Sequence, residues 1–391
     1  MPTYTRSQLY TDIDRTASTV QNIDDIVNRA VREVIGEIDL RSTKRMAYLS
    51  PVLTDEQFDY QAPSDLKDLG LIDIRKLSDR SAEFSLVPSE EFDRRKNIDD
   101  NIVCIEDQDF LKKLRIAAEL DGDQSVLHEM DDIDVDGTWA VGGSASNLTE
   151  DTDNFVRSSA SLNFDVAASY TSATLENPDM TAVDLSDYEN NGSVFVYVYI
   201  PSTTGLTSFK LRVGSSASAY FERTVTVTNE NLAFHTGWVL LRFDFASATE
   251  TGTVDTDNVD YLRLEIVGAG TASATTDWRV DYIVARRGDP HQVWYYSKYG
   301  WQTSLGAYLE NSTANTDLLN VDTEEYNLIV WKGKEFMAED LKFFDEADRY
   351  GSRYETKRDR YTMRYPSERM SLTSTYHILS SLGGTNSSET T

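Results

Sequence analysis

The chain has 391 residues, of which 40% are hydrophobic and 11% aromatic, so it can form two or three folded domains and is not globally disordered. Its 66 acidic residues outnumber 37 Lys and Arg residues, and the resulting formal net charge of -29 excludes generic nucleic-acid binding. The single cysteine, Cys104, rules out an intramolecular disulfide and is typical of a protein made in a reducing cytoplasm.

The first predicted element is one long amphipathic helix over residues 5–40. Thr5 and Gln8 match a capping box at its start. A helix of this length indicates a bundle or a subunit interface. No signal-peptide core precedes it, and no apolar run in the chain predicts a membrane span. Its apolar residues recur at steps of three and four and therefore form one stripe: Leu9, Ile13, Ala17, Val20, Ile23, Val27, Ala30, Val34 and Ile38.

Residues 41–130 change to mixed α+β character. A strand is predicted in KRMAYLSPVL, and a short helix beginning at Pro63 and ending at Leu69 is predicted ahead of a second strand. The segment NIVCIEDQDFLKKLRI alternates apolar and polar residues, which indicates further strands.

Residues 131–288 are rich in Ser, Thr, Gly, Asp and Asn and contain repeated short β runs. Apolar residues occupy every second position of these runs, which is typical of half-buried strands in a β-sandwich or jelly roll. The segment is therefore predicted to be a separate domain inserted between the two flanks. The runs are SLNFDVA, GSVFVYVYI, SFKLRVG, ERTVTVT, GWVLLRFDF, DYLRLEIVG and WRVDYIVAR.

Residues 289–370 again resemble the segments before residue 131 and end in predicted helices. A strand is predicted in HQVWYYSKYGWQ, and residues 322–365 predict two helices or one kinked helix that stops before Pro366. Residues 371–391 are predicted to be a flexible tail. The expected fold class is α+β and multidomain, with a helical-bundle core formed by both chain ends (1–130 and 289–370) and an inserted antiparallel β-sandwich.

The C-terminal helix combines Tyr with Lys and Arg. Residues 335–370 contain 8 basic and 9 acidic side chains, so charges of both signs occur along the segment and it is not basic overall. A packed Tyr stripe with a solvated charged face is the first interpretation, and a face that contacts neighbouring subunits is the second. A nucleic-acid platform is disfavoured by the net charge. The residues assigned to a subunit interface are Tyr350, Tyr354, Arg358, Tyr361, Arg364 and Tyr365.

Both flanks resemble the head-to-tail adaptor (connector) proteins of short-tailed bacteriophages. The resemblance is carried by SQLYTDIDRTASTVQNIDDIVNRAVREVIGEIDL, MAYLSPVL and FDYQAPSDLKDL in front, and by VWYYSKYGWQ and the segment from EYNLIVWKGKEF to RYPSERM behind. The resemblance lies in the order of the predicted elements and in short stretches of similar sequence, and it includes no catalytic motif.

This resemblance implies a structural virion protein at the neck of the particle, made in the host cytoplasm. It would form a homo-oligomeric ring, expected to be a dodecamer, beneath the portal. Its implied partners are the portal protein and the tail or nozzle proteins, and DNA would pass through the channel without sequence recognition. An acidic lumen is compatible with this role because it would not hold phosphates. No membrane partner is expected.

The inserted segment resembles galactose-binding-like jelly rolls, as in carbohydrate-binding modules. Its opening DDIDVDGTWAVGG matches the start of an EF-hand loop, but Gly143 replaces the Glu required at the twelfth position, so an EF-hand is rejected. No cofactor is expected, and two interpretations of these carboxylates stay open: an ordinary acidic turn, or a structural calcium site. The calcium ligands would come from Asp132, Asp134, Asp136 and Asp281.

An alternative function is carbohydrate binding or adhesion at the virion surface. Sugar binding requires an exposed aromatic platform, and the candidates are Tyr170, Tyr188, Trp238 and Trp278. An enzyme is not expected, because the chain contains no G-x-S-x-G, P-loop or H-E-x-x-H motif, and Cys104 lies in an apolar alternation. The adaptor hypothesis makes one structural prediction: residues 9–38 should contact residues 336–365.

Overall fold

The computed structural model describes residues 3–13, 23–51, 58–75, 84–97, 101–108, 111–117, 124–157, 159–287 and 291–372. Its α-helices, in chain order, are α1 (Arg6–Ile13), α2 (Ile23–Glu37), α3 (Ser89–Arg95), α4 (Thr323–Asp340) and α5 (Phe344–Arg364). None of these helices is long and apolar enough to cross a membrane.

The strands of the described residues fall into three groups along the chain. Those before the sandwich are β1 (Tyr4–Thr5), β2 (Lys44–Tyr48), β3 (Asp59–Gln61), β4 (Leu66–Arg75), β5 (Ser85–Leu86), β6 (Ile102–Gln108) and β7 (Leu111–Ala117). The sandwich strands are β8 (Gln124–His128), β9 (Ala140–Gly143), β10 (Ala145–Asp151), β11 (Ser161–Val166), β12 (Ser172–Asn177), β13 (Ser193–Ile200), β14 (Leu206–Ser216), β15 (Ala219–Val225), β16 (Gly237–Asp244), β17 (Thr249–Thr251), β18 (Tyr261–Gly268) and β19 (Thr275–Arg286). Those after it are β20 (Gln292–Ser297), β21 (Trp301–Gln302), β22 (Tyr308–Leu309) and β23 (Leu318–Leu319).

The prediction of a helical-bundle core was wrong. Among the residues that the structure describes, strand residues outnumber helical ones, at 41% against 23%. The chain ends form three sheets of their own in the orders β2-β20-β4, β3-β7-β6-β5 and β1-β23-β21-β22. The predicted helix between Pro63 and Leu69 was also wrong, because β4 already begins at Leu66. Its alternation of buried pairs continues to Arg75, so local strand pairing overrode the helix-start signal of Pro63.

The prediction of one continuous helix over 5–40 was wrong as well. The Thr5–Gln8 capping box is confirmed, with the two backbone N–H groups and the two side chains bonded reciprocally. However, Arg6 Nη2 lies 2.9 Å from Asp24 Oδ1, whereas 18 residues of straight helix would separate them by about 27 Å. Helix α1 therefore folds back against α2, and both present apolar stripes to α4.

The two chain ends meet in one hydrophobic core. Residues of α1 and α2 pack with residues of α4 and α5, which confirms the predicted contact between 9–38 and 336–365. Sheet pairing joins the ends a second time, because β20 lies between β2 and β4, and β1 pairs with β23. We call this unit of both chain ends the base.

Two antiparallel six-stranded sheets form the β-sandwich. Sheet I has the order β10-β11-β19-β13-β16, with β8 also paired to β19, and sheet II has the order β17-β15-β14-β18-β12-β9. The alternating apolar residues of both sheets meet in the largest core of the described chain. Strand β8 joins sheet I from before residue 131, and the predicted divisions at 130/131 and 288/289 stay a prediction. Most of the predicted 371–391 tail lies outside the described residues.

Candidate interaction surface

Helices α4 and α5 form a hairpin on the surface of the base. Helix α4 starts at a capping box in which Asp322 accepts from the backbone N–H groups of Glu324 and Glu325, and the Glu325 carboxylate accepts from the Asp322 N–H. The turn between the helices passes through Lys342, whose φ is 60°. Helix α5 then runs back along α4 and packs against it.

The tyrosines of the predicted interface face the interior of the base. Tyr354 and Tyr361 are buried, and their hydroxyls donate to the carboxylates of Glu37 and Glu325. Burial, followed by these neighbouring carboxylates, raises the pKa of both phenols, so they stay protonated donors at neutral pH. The Tyr stripe thus fastens α5 to α2 and α4.

The other four predicted interface residues lie nearer the surface. Tyr350 and Tyr365 are half-buried, and Tyr350 lies against Trp331. Arg358 is half-buried near Glu37, and the exposed Arg364 pairs with Glu324 at 2.7 Å. Their predicted role in a contact between subunits stays a prediction.

The outward face of α5 carries a row of cations. Arg349, Arg353, Lys357 and Arg360 are exposed, and in the described part of the chain no carboxylate pairs with any of them. At 3.6 residues per turn they fall within an arc of about 80° and span roughly 17 Å along the helix axis. The row is therefore a continuous positive ridge on a strongly acidic protein.

This ridge borders a groove between the two helices. One part, of about 560 Å³, lies between Trp331 and the ridge from Arg349 to Lys357. A second part, of about 260 Å³, continues past Lys357 to Arg364, with Leu328 and Tyr361 in its wall. We call the ridge and both parts together the basic groove.

Sequence reasoning missed the basic groove because it averaged charges over the segment. The acids Asp348, Glu355 and Asp359 lie on the opposite side of α5 from the ridge, and Glu346 lies on the ridge side one turn before Arg349. In the net charge of residues 335–370 the cations of the ridge and the acids on the other side of α5 cancel. A helical wheel would have shown that most of these acids lie on a different side from the cations. The available signal was the spacing of the cations by four, four and three residues.

The candidate sugar-binding aromatics of the sandwich are all buried. Trp278, Tyr170 and Tyr188 belong to the core between the two sheets, at 0%, 1% and 5% exposure. Trp238 does lie on the outward face of sheet I, as its alternation predicted, but it is only 8% exposed. None of the four therefore presents a free ring face on which a sugar could stack.

The outward face of sheet I is apolar and is covered by other parts of the chain. Arg286, at the end of β19, donates to the carbonyl oxygens of Leu49 and Ser50 at 3.0 and 2.9 Å. Asn229 donates to the Tyr48 carbonyl, and the Arg242 guanidinium stacks on the Tyr48 ring. The base thus holds this face by hydrogen bonds and by the stacking of Arg242 on Tyr48. Its apolar members are Phe195, Tyr197, Trp238, Leu240, Tyr282 and Val284.

The four predicted calcium ligands do not form one cluster. Asp132 Oδ1 accepts from the backbone N–H groups of Asp134 and Val135, and Asp136 accepts from Thr181, so these carboxylates stabilise an acidic loop. Asp281 is buried on β19 and accepts from the N–H groups of Val156 and Arg157. No group of three acidic, His or Cys side chains suited to a metal occurs among the described residues.

Asp281 is unusual for another reason. Its Oδ1 is buried and has no hydrogen-bond partner among the described residues, and burial raises the pKa of its carboxyl to about 7. The two backbone N–H donors lower the pKa and oppose this effect only in part. The group is therefore close to half-protonated at neutral pH, which suits a buried structural carboxyl better than a cation ligand.

The outward face of sheet II is polar, in contrast to the apolar outward face of sheet I. Paired charges cross its strands, with Arg212 bonded to Glu222 at 2.7 Å and Arg263 within 3.9 Å of Glu176. Tyr220 is half-buried and its ring lies 6.3 Å from the Tyr261 ring. This face therefore combines a half-buried aromatic ring with polar groups.

No nucleophile is prepared for catalysis at the only cysteine. Cys104 is 1% exposed in a small apolar cluster of the base. Burial raises the pKa of its thiol to about 11, which leaves the thiolate unpopulated at neutral pH.

Comparison with known proteins finds only solved structures of low similarity to this chain. No protein-family model and no curated protein matches the chain. Among solved structures, it is similar to a family 30 carbohydrate-binding module at 14% identity, covering 45% of this chain and 88% of that one, with a TM-score of 0.29. A carbohydrate-binding module of the β-sandwich superfamily matches at 11% identity, covering 44% and 66%, with a TM-score of 0.28.

An exo-β-agarase is also similar, at 12% identity and a TM-score of 0.31, over 42% of this chain and 25% of that enzyme. The chain thus spans only about a quarter of the agarase's length. TM-scores of this size carry no argument about ligand or activity. The adaptor resemblance of the flanks finds no counterpart in these comparisons.

Proposed function

We propose that this chain is a non-enzymatic assembly protein that presents a rigidly mounted β-sandwich on a base built from both chain ends. The observation that carries the proposal is the covered outward face of sheet I. In an independent sugar-binding module, an aromatic sheet face of this kind would have to be open to solvent. Here Tyr197 and Tyr282 are fully buried on it, so the face serves attachment instead.

The base supports the same function. Helices from both ends share one core, and β20 completes a sheet between β2 and β4. Residues far apart in the chain are thereby held at fixed positions, as a subunit in a closed ring requires. The finer form of the proposal is a head-to-tail adaptor: a ring of identical subunits between portal and tail, through which DNA passes along an acidic surface.

The test is an electron-microscopy reconstruction of the virus particle that contains the chain, focused on the vertex between head and tail. A ring beneath the portal, with the sandwich projecting from it, is the expected result. Density for the chain at the tail tip or on the capsid surface would contradict the adaptor form. The mounted sandwich would then serve attachment to a surface.

A second candidate function is carbohydrate binding by the outward face of sheet II. The specific observation is the half-buried Tyr220 beside the Arg212–Glu222 pair, since an aromatic ring next to polar groups can hold a sugar. A glycan array with the full chain tests it. Specific binding that is lost in Tyr220→Ala and kept in Thr224→Ala, on the same strand face, would favour this candidate.

A further inference from the structure

The ridge of the basic groove lacks carboxylate partners in the part of the chain that the structure describes. Many other cations of the base are paired, for example Lys67 with Asp39 and Lys44 with Glu368, and at the far end of the groove Arg364 is paired with Glu324, which also lines it. By contrast, the four exposed cations from Arg349 to Arg360 have no carboxylate partner among the described residues. Four neighbouring like charges repel one another, so a negatively charged occupant would stabilise this surface.

The groove also has an aromatic wall. Trp331 is half-buried, and the guanidinium of Arg353 lies 5.0 Å from its ring centre. Leu328 and Tyr361, which are almost fully buried, form the floor of the groove on the other side of Lys357. An occupant that fits must therefore combine carboxylates for the ridge with at least one apolar side chain for the wall.

Two other occupants fit less well. Nucleic acid could stack a base on Trp331, but it would bring a long line of phosphates to a chain of net charge -29 in which the ridge offers only four neighbouring cations. The chain's own residues 373–391 contain a single acidic side chain, Glu389, which cannot match four cations.

The chain itself carries a segment with the required chemistry. Val135 is 60% exposed at the tip of the acidic loop, with Asp134 and Asp136 on either side and Asp131 close by. Among the exposed large hydrophobic residues that the structure describes, Val135 is the one directly flanked by two carboxylates. We call residues 131–136 the acidic tip.

The acidic tip is held in shape before any contact is made. Asp132 accepts from two backbone N–H groups of the tip, and the Val135 carbonyl lies 3.1 Å from Nε2 of His128. The backbone N–H of Met130 donates to Nδ1 of His128, so Nε2 carries the proton and donates to the Val135 carbonyl, while the buried Trp139 ring packs edge-on against the imidazole. A preformed tip loses little conformational entropy when it binds, which favours a specific contact.

We propose that the acidic tip of one copy docks in the basic groove of a second copy, with Val135 against Trp331 and Asp134 facing Arg353 and Lys357. Each copy carries one groove and one tip, so copies can join head to tail through a heterologous contact, and this contact forms a ring when its rotation closes. The inference rests on the proposed assembly function and assigns its subunit contact.

Sedimentation velocity of the purified full chain over a range of concentrations tests this contact. The wild-type chain is expected to self-associate, and added salt should weaken the association. Arg353→Glu and Asp134→Arg should each weaken it about tenfold or more, which corresponds to about 1.4 kcal/mol. The matched controls Lys298→Glu and Asp257→Arg, exposed residues outside the groove and the tip with the same charge changes, should leave it unchanged.

Mixing the two variants gives the sharper result. In an equimolar mixture, the altered groove of an Arg353→Glu chain can accept the altered tip of an Asp134→Arg chain, because both charges are reversed. The unaltered tip of the first chain can likewise enter the unaltered groove of the second, so association should recover above that of either variant alone.

Three outcomes would overturn the contact. The first is a mixture that does not recover, and the second is a wild-type chain that stays monomeric at every concentration. The third is an Arg353→Glu variant that loses binding to a DNA oligonucleotide but keeps full self-association, because nucleic acid would then be the occupant.

These results are separable from the test of the proposed function. A ring at the portal vertex together with a failed recovery would leave the assembly function standing and reject the tip-in-groove contact. Recovery together with a location elsewhere on the particle would keep the contact and reject the adaptor form.

Discussion

Glu230 shows how a single carboxyl connects the sandwich to the base. It follows β15 in the chain, is 5% exposed, and faces the buried Asp65 of the base. Tyr197, Tyr295 and Tyr299 are the other titratable groups that face it. Burial, with the negative charge of Asp65 as a further contribution, raises the pKa of Glu230 from 4.5 to about 7. The folded state therefore prefers the protonated carboxyl.

A pH dependence of stability follows from this preference. Between pH 4.5 and about 7 the folded chain holds a proton that the unfolded chain has released, so this group's contribution to stability falls as the pH rises through that window. Glu230→Gln mimics the protonated form. We expect it to raise the free energy of unfolding at pH 8 by on the order of 1–3 kcal/mol and to change little at pH 4.5.

Urea denaturation at both pH values measures the effect of Glu230→Gln. The exposed Glu250→Gln is the matched control, and it should stay within about 0.5 kcal/mol of the wild type at either pH. An equal change for Glu230→Gln at pH 8 and pH 4.5 would show that the carboxyl does not titrate as inferred.

Cys104 offers a second test at the level of one residue. Because its thiol is buried and its pKa is raised to about 11, iodoacetamide should not alkylate the native chain at pH 8, while the chain unfolded in concentrated guanidinium should react fully. Mass spectrometry of both samples gives the labelled fraction. Rapid labelling of the native chain would mean that the apolar cluster around Cys104 opens readily.

At the level of elements, the sequence pattern predicted those features that depend on residues close together in the chain. The sandwich strands were recognised because their apolar residues alternate, and the Thr5–Gln8 box was recognised because capping is local. The helix over 5–40 failed because α1 and α2 both face α4, so one unbroken stripe describes two helices. Burial of Trp238 could not be predicted either, since residues 48–50, which are distant in the chain, help to cover its sheet face.

The contact of α1 with α4 depends on a glycine. A Cβ at Gly333 would lie 2.3 Å from Cδ1 of Ile13, so a larger residue there would have to displace the buried Ile13 side chain. Gly333→Ala should therefore destabilise the base by about 1–3 kcal/mol through overpacking. Gly36 in α2 is the matched control, because a Cβ there meets nothing within 4 Å. Gly36→Ala should stabilise the chain by about 0.5–1 kcal/mol.

Thermal unfolding of both glycine variants, followed by far-ultraviolet circular dichroism, compares the two positions directly. Opposite shifts of the midpoint are expected. If both substitutions stabilise the chain equally, helix propensity alone decides the outcome and the close approach of α1 to α4 carries no energetic weight.

At the level of the whole molecule, the sandwich and the base share a buried boundary. Arg286 lies on it at 8% exposure and satisfies two base carbonyls, while Tyr197 and Leu240 cover apolar surface beside it. Burial lowers the pKa of the Arg286 guanidinium, yet its bonds to the Leu49 and Ser50 carbonyls compensate for the loss of water. Because they share this boundary, the sandwich and the base should unfold together.

Differential scanning calorimetry can measure this coupling. The wild-type chain should unfold in one transition whose calorimetric and van't Hoff enthalpies agree. Arg286→Met leaves two buried carbonyls without a donor, which should cost about 2–4 kcal/mol and separate the transition into two. Arg223→Met, which removes one bond to Ser247 within the sandwich, should keep a single transition. Two transitions in the wild type would mean that the base holds the sandwich too weakly for a rigid mount.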